Sequence, residues 1–183
     1  SNIGTPGFRG VLAAQVEQRG VLSRARALCA AARAAGVPVG YVNYARKPDF
    51  PRPRTRLHRR TGATPTLIEG TWGAETHAAV APTERDFVFT RCVGIDGSVG
   101  TQLYPVMRML GRDALLVCGV STTLAVEGLV RASVNRGFEM FVVADCCAGA
   151  PAAWHDFSIA NVLPLLATVT DSAAVLAALE AAA

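Results

Sequence analysis

The chain has 183 residues, 51% of them hydrophobic and 17% charged, with mean hydropathy +0.30. That is enough apolar material for one domain with a proper core, and too much for a disordered segment. The net charge of +4 comes without a membrane-length apolar run or an opening signal-peptide pattern, so neither a membrane partner nor secretion is expected. Five cysteines, an odd number in scattered positions, fit reduced thiols in a cytoplasmic protein. Cys146 and Cys147 are adjacent, unlike the spaced pair of a redox or zinc motif.

Taken in chain order, Gly4, Pro6, Gly7 and Gly10 mark a loop, and Val11 to Val16 can form a turn of helix. Leu22 to Ala35 is an Ala- and Arg-rich helix with Ser23 as a candidate cap and Gly36 as its stop. Val37 to Asn43 reads as a strand with Pro38 near its start, where a missing donor is tolerated. Ala45 to Ile68 is a long loop carrying Arg46, Lys47, Arg52, Arg54, Arg56, Arg59 and Arg60 around Asp49 and His58. A basic run of this kind suits nucleic acid or an anionic substrate. It has no aromatic interleaving and no nucleic-acid module, so a solvated loop is the preferred reading and no nucleic-acid partner is expected.

Phe87 to Thr90 is the next strand, Gly94 to Gly100 a loop, and Leu103 to Leu110 a short helix. Ala114 to Cys118 is a continuous apolar run, of the kind expected for a strand buried on both faces. Gly119 follows, Ser121, Thr122 and Thr123 offer cap chemistry, and Val126, Leu129, Val130 and Val134 share a helical stripe before Gly137. A second apolar run, Phe138 to Ala144, completes a βαβ unit. Pro151 to Leu163 reads as a helix, Leu166 to Thr170 as a last strand, and Asp171 caps a terminal helix through Leu179. The alternation predicts a single three-layer α/β/α domain over 1–183, with a mainly parallel sheet. Ligands in such sheets bind at the carboxyl ends of the strands.

Gly119-Val-Ser-Thr-Thr-Leu-Ala-Val-Glu127, with Arg131, Ala132, Gly137 and Asp145-Cys-Cys147, resembles the core of the isochorismatase-like cysteine hydrolases. The resemblance covers about residues 20 to 180 and implies the isochorismatase-like hydrolase fold. In that family the motif carries a nucleophilic Cys where this chain has Ala125, and a Lys where it has Arg91. Arginine is not equivalent to lysine there, being a permanently charged fork rather than a compact point charge. The family opens with a strand ending in a catalytic Asp, and no such strand precedes Leu22, so an N-terminal segment is expected to be missing from these 183 residues. The resemblance also implies a cis peptide between Val120 and Ser121, with the Ser121 amide turned toward the ligand beside that of Ala125.

Ala125 excludes a cysteinyl intermediate at that position. Cys92, Cys118, Ser121 and Thr122 are the other nucleophiles nearby, with Cys118 expected as inert packing and Ser121 and Thr122 as caps. Lys47-Pro-Asp-Phe-Pro51 and Gly70-Thr-Trp-Gly-Ala-Glu75 resemble segments that border the family's substrate pocket. Phe50 and Trp72 are therefore expected against the substrate, with core filling as the other reading of Trp72, and Ile95 and Leu124 are expected there as well. Asp49 and His58 lack the spacing of the family's metal-binding branch, while His77 and His155 are read as surface or capping residues. No metal or cofactor is expected. The resulting function is either a hydrolase acting without a cysteinyl intermediate, by acid catalysis of the vinyl-ether type, or an inactive homologue kept for ligand binding or assembly. Its partners would be a small carboxylated or cyclic molecule and further copies of itself.

Overall fold

The computed structural model describes residues 8–49, 55–56 and 66–182. Two helices open it, α1 (Phe8–Gln18) and α2 (Val21–Ala34), joined through Gly20 in the left-handed conformation. That geometry favours glycine. Ser23 donates to the Gly20 carbonyl at 2.8 Å, so it does not cap α2. β1 (Gly40–Tyr44) starts later than expected and leaves Pro38 outside the strand. β2 (Phe87–Arg91), α3 (Leu103–Met109), β3 (Ala114–Val120), α4 (Glu127–Val134) and β4 (Glu139–Ala148) follow. α5 (Ala152–Phe157), β5 (Thr168–Thr170) and α6 (Ser172–Ala182) complete the order. The helix expected over Pro151 to Leu163 is α5 followed by a π turn and a 3-10 turn. Asp171 accepts from the Ala174 amide at 2.8 Å and caps α6.

All strand pairs are parallel. They form two sheets, β1–β2 and β3–β4–β5, with β4 between its neighbours. Met140 and Val142 of β4 pack with Leu103 and Tyr104 of α3 and Leu129 and Val130 of α4. Val143 and Cys146 pack with Leu28 of α2, and Val175 and Leu176 of α6 close that cluster. With helices on both faces of β4, the chain has the three-layer α/β arrangement that alternation predicts.

β3 departs from expectation. Val117 is buried, but Ala114, Leu116 and Cys118 are exposed, so the strand is not covered on both faces. Its backbone explains why. The Glu139 amide donates to the Asp113 carbonyl, which fixes the edge of β3 turned toward β4 and leaves the other without a strand among the described residues. The far edge of β1 is likewise unpaired until Arg46, which bridges to Ile68. α2 reaches β1 through Tyr41, whose hydroxyl donates to Cys29 Sγ at 3.8 Å.

Two ties hold these layers together. Asp86, its side chain 2% exposed, accepts from Arg33 Nη2 at 2.7 Å and Nε at 3.2 Å, and from the Thr83 amide at 2.6 Å. Arg33 Nη2 also donates to the Tyr41 hydroxyl at 2.9 Å, so one guanidinium joins α2 to β1 and to the residue that precedes β2. Asp145 of β4 accepts from the Ser172 amide and hydroxyl at the start of α6. No helix among the described residues is long and apolar enough to cross a membrane.

Candidate functional site at the carboxyl edge

The last residue of β2, Arg91, is 8% exposed and lies within the protein. Its Nη2 donates to the Ile95 carbonyl at 3.1 Å and its Nη1 to the Asn43 carbonyl at 3.4 Å. The guanidinium carbon stands 5.3 Å from the centre of the Tyr44 ring. Arg91 Nε has no hydrogen-bond partner among the described residues, and Arg91 forms no salt bridge there. Burial pulls the Arg91 pKa down, with Tyr44 and Asp96 opposing it. The Asp96 carboxylate is already engaged by the Ser98 amide at 2.9 Å and its hydroxyl at 2.7 Å. A buried cation held by neutral carbonyls, with one donor unspent, is costly and suits an anion.

β3 ends at the Val120–Ser121 peptide, which is cis. Ser121 is extended, and a π turn over Thr122–Val126 leads into α4. The Leu124 and Val126 amides both donate to the Ser121 carbonyl at 3.2 Å. Neither Ser121 nor Thr122 caps the turn as expected. Ser121 makes no side-chain cap bond, and its buried Oγ has no partner among the described residues. Thr122 is fully buried, with its Oγ1 2.7 Å from His155 Nδ1.

The loop after β2 and α4 meet through glycine. A Cβ at Gly128 would stand 3.4 Å from Ile95 Cγ2 and 3.5 Å from the Asp96 amide. One at Gly97 would fall 2.3 Å from Val42 Cγ1, so only glycine fits there. Arg91 thus holds Ile95, Ile95 rests on Gly128, and Gly128 lies about one helical turn beyond Ala125. Ala125 and Leu124 are half-buried, and Ile95 is 39% exposed.

Trp72 is 63% exposed in a 3-10 turn, which rules out core filling. Phe50 lies outside the described residues, as do Arg52, Arg54, His58, Arg59 and Arg60 of the basic run. His77 accepts from the Ala79 amide at 3.1 Å and is a cap, as read. His155 was expected at the surface or as a cap and is instead 3% exposed. The signal was present: His155, Ser158, Ile159 and Leu163 recur at helical spacing, and this stripe turns inward. Among the described residues no three His, Cys, Asp or Glu side chains gather as a metal site.

Cys118 also needs correction. It is exposed at the unpaired edge of β3, yet surrounding protein pushes its thiol up to about 12, with desolvation as the main cause. The thiol therefore stays protonated at neutral pH.

A three-layer α/β domain of parallel strands, with a buried cation and a helix-entry turn at the carboxyl edge, is the class of fold whose ligands bind at that edge. The isochorismatase domain model matches residues 7–174, and the chain belongs to that family. It is 31% identical over 160 residues to the uncharacterized isochorismatase family protein YecD of Escherichia coli O157:H7, covering 87% of this chain and 83% of the relative. Similarity to the ureidoacrylate amidohydrolase RutB of Methylobacterium radiotolerans is 27% over 169 residues, or 84% of this chain and 65% of that protein. In fold, the chain superposes on a cysteine hydrolase from Pseudomonas syringae pv. phaseolicola with a TM-score of 0.81 at 24% identity, covering 89% of this chain and 81% of the other.

Proposed function

We propose that this chain binds a small carboxylated or cyclic molecule between Arg91 and the turn from Ser121 to Ala125, and that any hydrolysis it performs avoids a cysteinyl intermediate. The observation that carries this reading is Arg91 Nε, buried and without an acceptor among the described residues. A carboxylate there takes the unspent donor in the fork geometry that arginine favours. Ser121 Oγ offers a second polar contact, while Ile95, Leu124 and Trp72 supply apolar surface. In this reading Arg91 stands at the family's Lys position and Ala125 at its Cys position, which makes the catalytic set incomplete. Hydrolysis would then depend on an acid, in the manner of vinyl-ether cleavage.

The unpaired edges of β1 and β3 support one more strand between the two sheets, as expected for the family's opening strand. A chain extended by such a strand should show slower amide exchange at Val42 and Leu116; unchanged exchange would remove this strand from the account.

The second reading is an inactive homologue kept for binding or assembly, favoured by the methyl group of Ala125, which has no nucleophile to offer. The two readings separate on Ala125→Cys. A thiol in the first turn of a helix near a cation is expected to ionise more readily. Iodoacetamide should therefore label it faster than Cys92 or Cys118, with poor turnover of simple amides until Arg91→Lys is added. Labelling no faster than the native thiols would favour the inactive homologue. A cytoplasmic location, supported by five free cysteines, and self-association through apolar surface are part of the same proposal. A clean monomer at micromolar concentration by light scattering would end the latter.

A further inference from the structure

We propose that His155 is a positioning residue for the turn from Ser121 to Ala125, acting through its hydrogen bond to Thr122. The inference rests on the reading above only in taking that turn as part of the ligand site. Thr122 Oγ1 and His155 Nδ1 are 2.7 Å apart, and the two residues are 0% and 3% exposed. They belong to segments 33 positions apart, the first residue of the turn and the inward face of α5. A hydrogen bond between groups so placed fixes one segment against the other, because neither group has water as an alternative.

The fit around the pair is close. A Cβ at Gly149 would stand 3.2 Å from His155 Cβ, 3.4 Å from Thr122 Cβ and 3.5 Å from Thr122 Oγ1. The end of β4 therefore passes against both partners, and a side chain there would press them apart. The Thr122 hydroxyl is not spent as a helix cap, since the turn has no side-chain cap at its start. Burial lowers the His155 pKa, with Arg19 acting the same way and Asp156 opposing, so the ring is neutral near pH 7. A neutral imidazole has one donor and one acceptor nitrogen, and the 2.7 Å contact uses Nδ1 in one of those roles.

The consequence is local. Thr122 carries the backbone between Ser121, whose Oγ is unpartnered, and the amides leading to Ala125. Without the bond the fold keeps its β4 core, but the turn loses its anchor.

Amide hydrogen exchange on the 183-residue chain tests this directly. Thr122→Val removes the hydroxyl at nearly constant shape, His155→Leu removes the ring nitrogens, and His155→Asn keeps a polar group near the Nδ1 position. The first two should speed exchange over residues 121–126 about tenfold, the scale of one net hydrogen bond, while 139–143 of β4 stay unchanged. His155→Asn should restore most of the protection. If His155→Leu fails to fold, Thr122→Val decides. Equal acceleration in both segments, or none over 121–126, overturns the inference. In an Ala125→Cys background, Thr122→Val should also slow iodoacetamide labelling. Local acceleration of exchange together with an Ala125→Cys thiol no more reactive than Cys92 would leave His155 as an anchor of the turn while removing the turn from the ligand site.

Discussion

Met140, Val142 and Val143 of β4 are 1%, 0% and 0% exposed, whereas Leu116 of the neighbouring β3 is 46% exposed. Both strands are apolar and both are parallel. β4 has a strand on each side and helices on both faces, while β3 has one paired edge and, among the described residues, no strand on the other. Burial is a property of the neighbours that a strand acquires, and an apolar run records only that such neighbours are permitted. The same contrast runs through the site: the turn after β3 has Thr122 tied to His155, while Arg91 keeps a donor unspent.

Substitutions should expose this contrast. Met140→Ala removes a fully buried side chain and should cost about 3 kcal/mol, whereas Leu116→Ala should cost under about 1 kcal/mol. Denaturant melts of the two variants measure the difference, and equal losses would mean that β3 is as enclosed as β4. Asp86→Asn tests the tie between α2 and the first sheet. It leaves Arg33 without its carboxylate partner and should cost about 2 kcal/mol, less than a fully buried pair because Arg33 is 30% exposed.

A smaller effect follows from pH. The His155 pKa lies below its ordinary value, so the unfolded chain takes up a proton first, and stability should begin to fall as pH drops through about 6.5. The Arg33 hydrogen bond, partly opposed by desolvation, lowers the Asp86 pKa. The stability Asp86 contributes is present above its unfolded value of about 3.9 and is lost as pH falls through its folded value. Thermal melts from pH 7 to pH 3 should therefore show two descending stages. His155→Asn should remove the upper one and Asp86→Asn the lower one.

Alternation, the Gly119–Glu127 motif and the run of apolar segments made the layered α/β fold legible, because each depends on local pattern. The Asp171 cap and the Gly137 stop were legible for the same reason. Leu116 and Cys118 were misread because their exposure depends on what lies beside β3, which no window of sequence contains. His155 was misread by treating an isolated histidine as a surface group, although its helical stripe with Ser158 and Leu163 pointed inward. Arg91 is marked by the resemblance alone, as the residue at the family's Lys position. Its unspent Nε could not be, since a hydrogen-bond inventory needs coordinates.

The central claim is that Arg91 awaits an anion, and a thermal-shift titration with benzoate against neutral benzamide tests it most directly. Benzoate should raise the melting temperature of the parent chain, growing with the logarithm of its concentration above the dissociation constant. Benzamide should not, and Arg91→Met should abolish the benzoate effect while keeping the fold, since the residue removed is a buried charge in no salt bridge among the described residues. A benzoate shift of equal size in Arg91→Met, or no shift in the parent chain at any soluble concentration, would contradict the account.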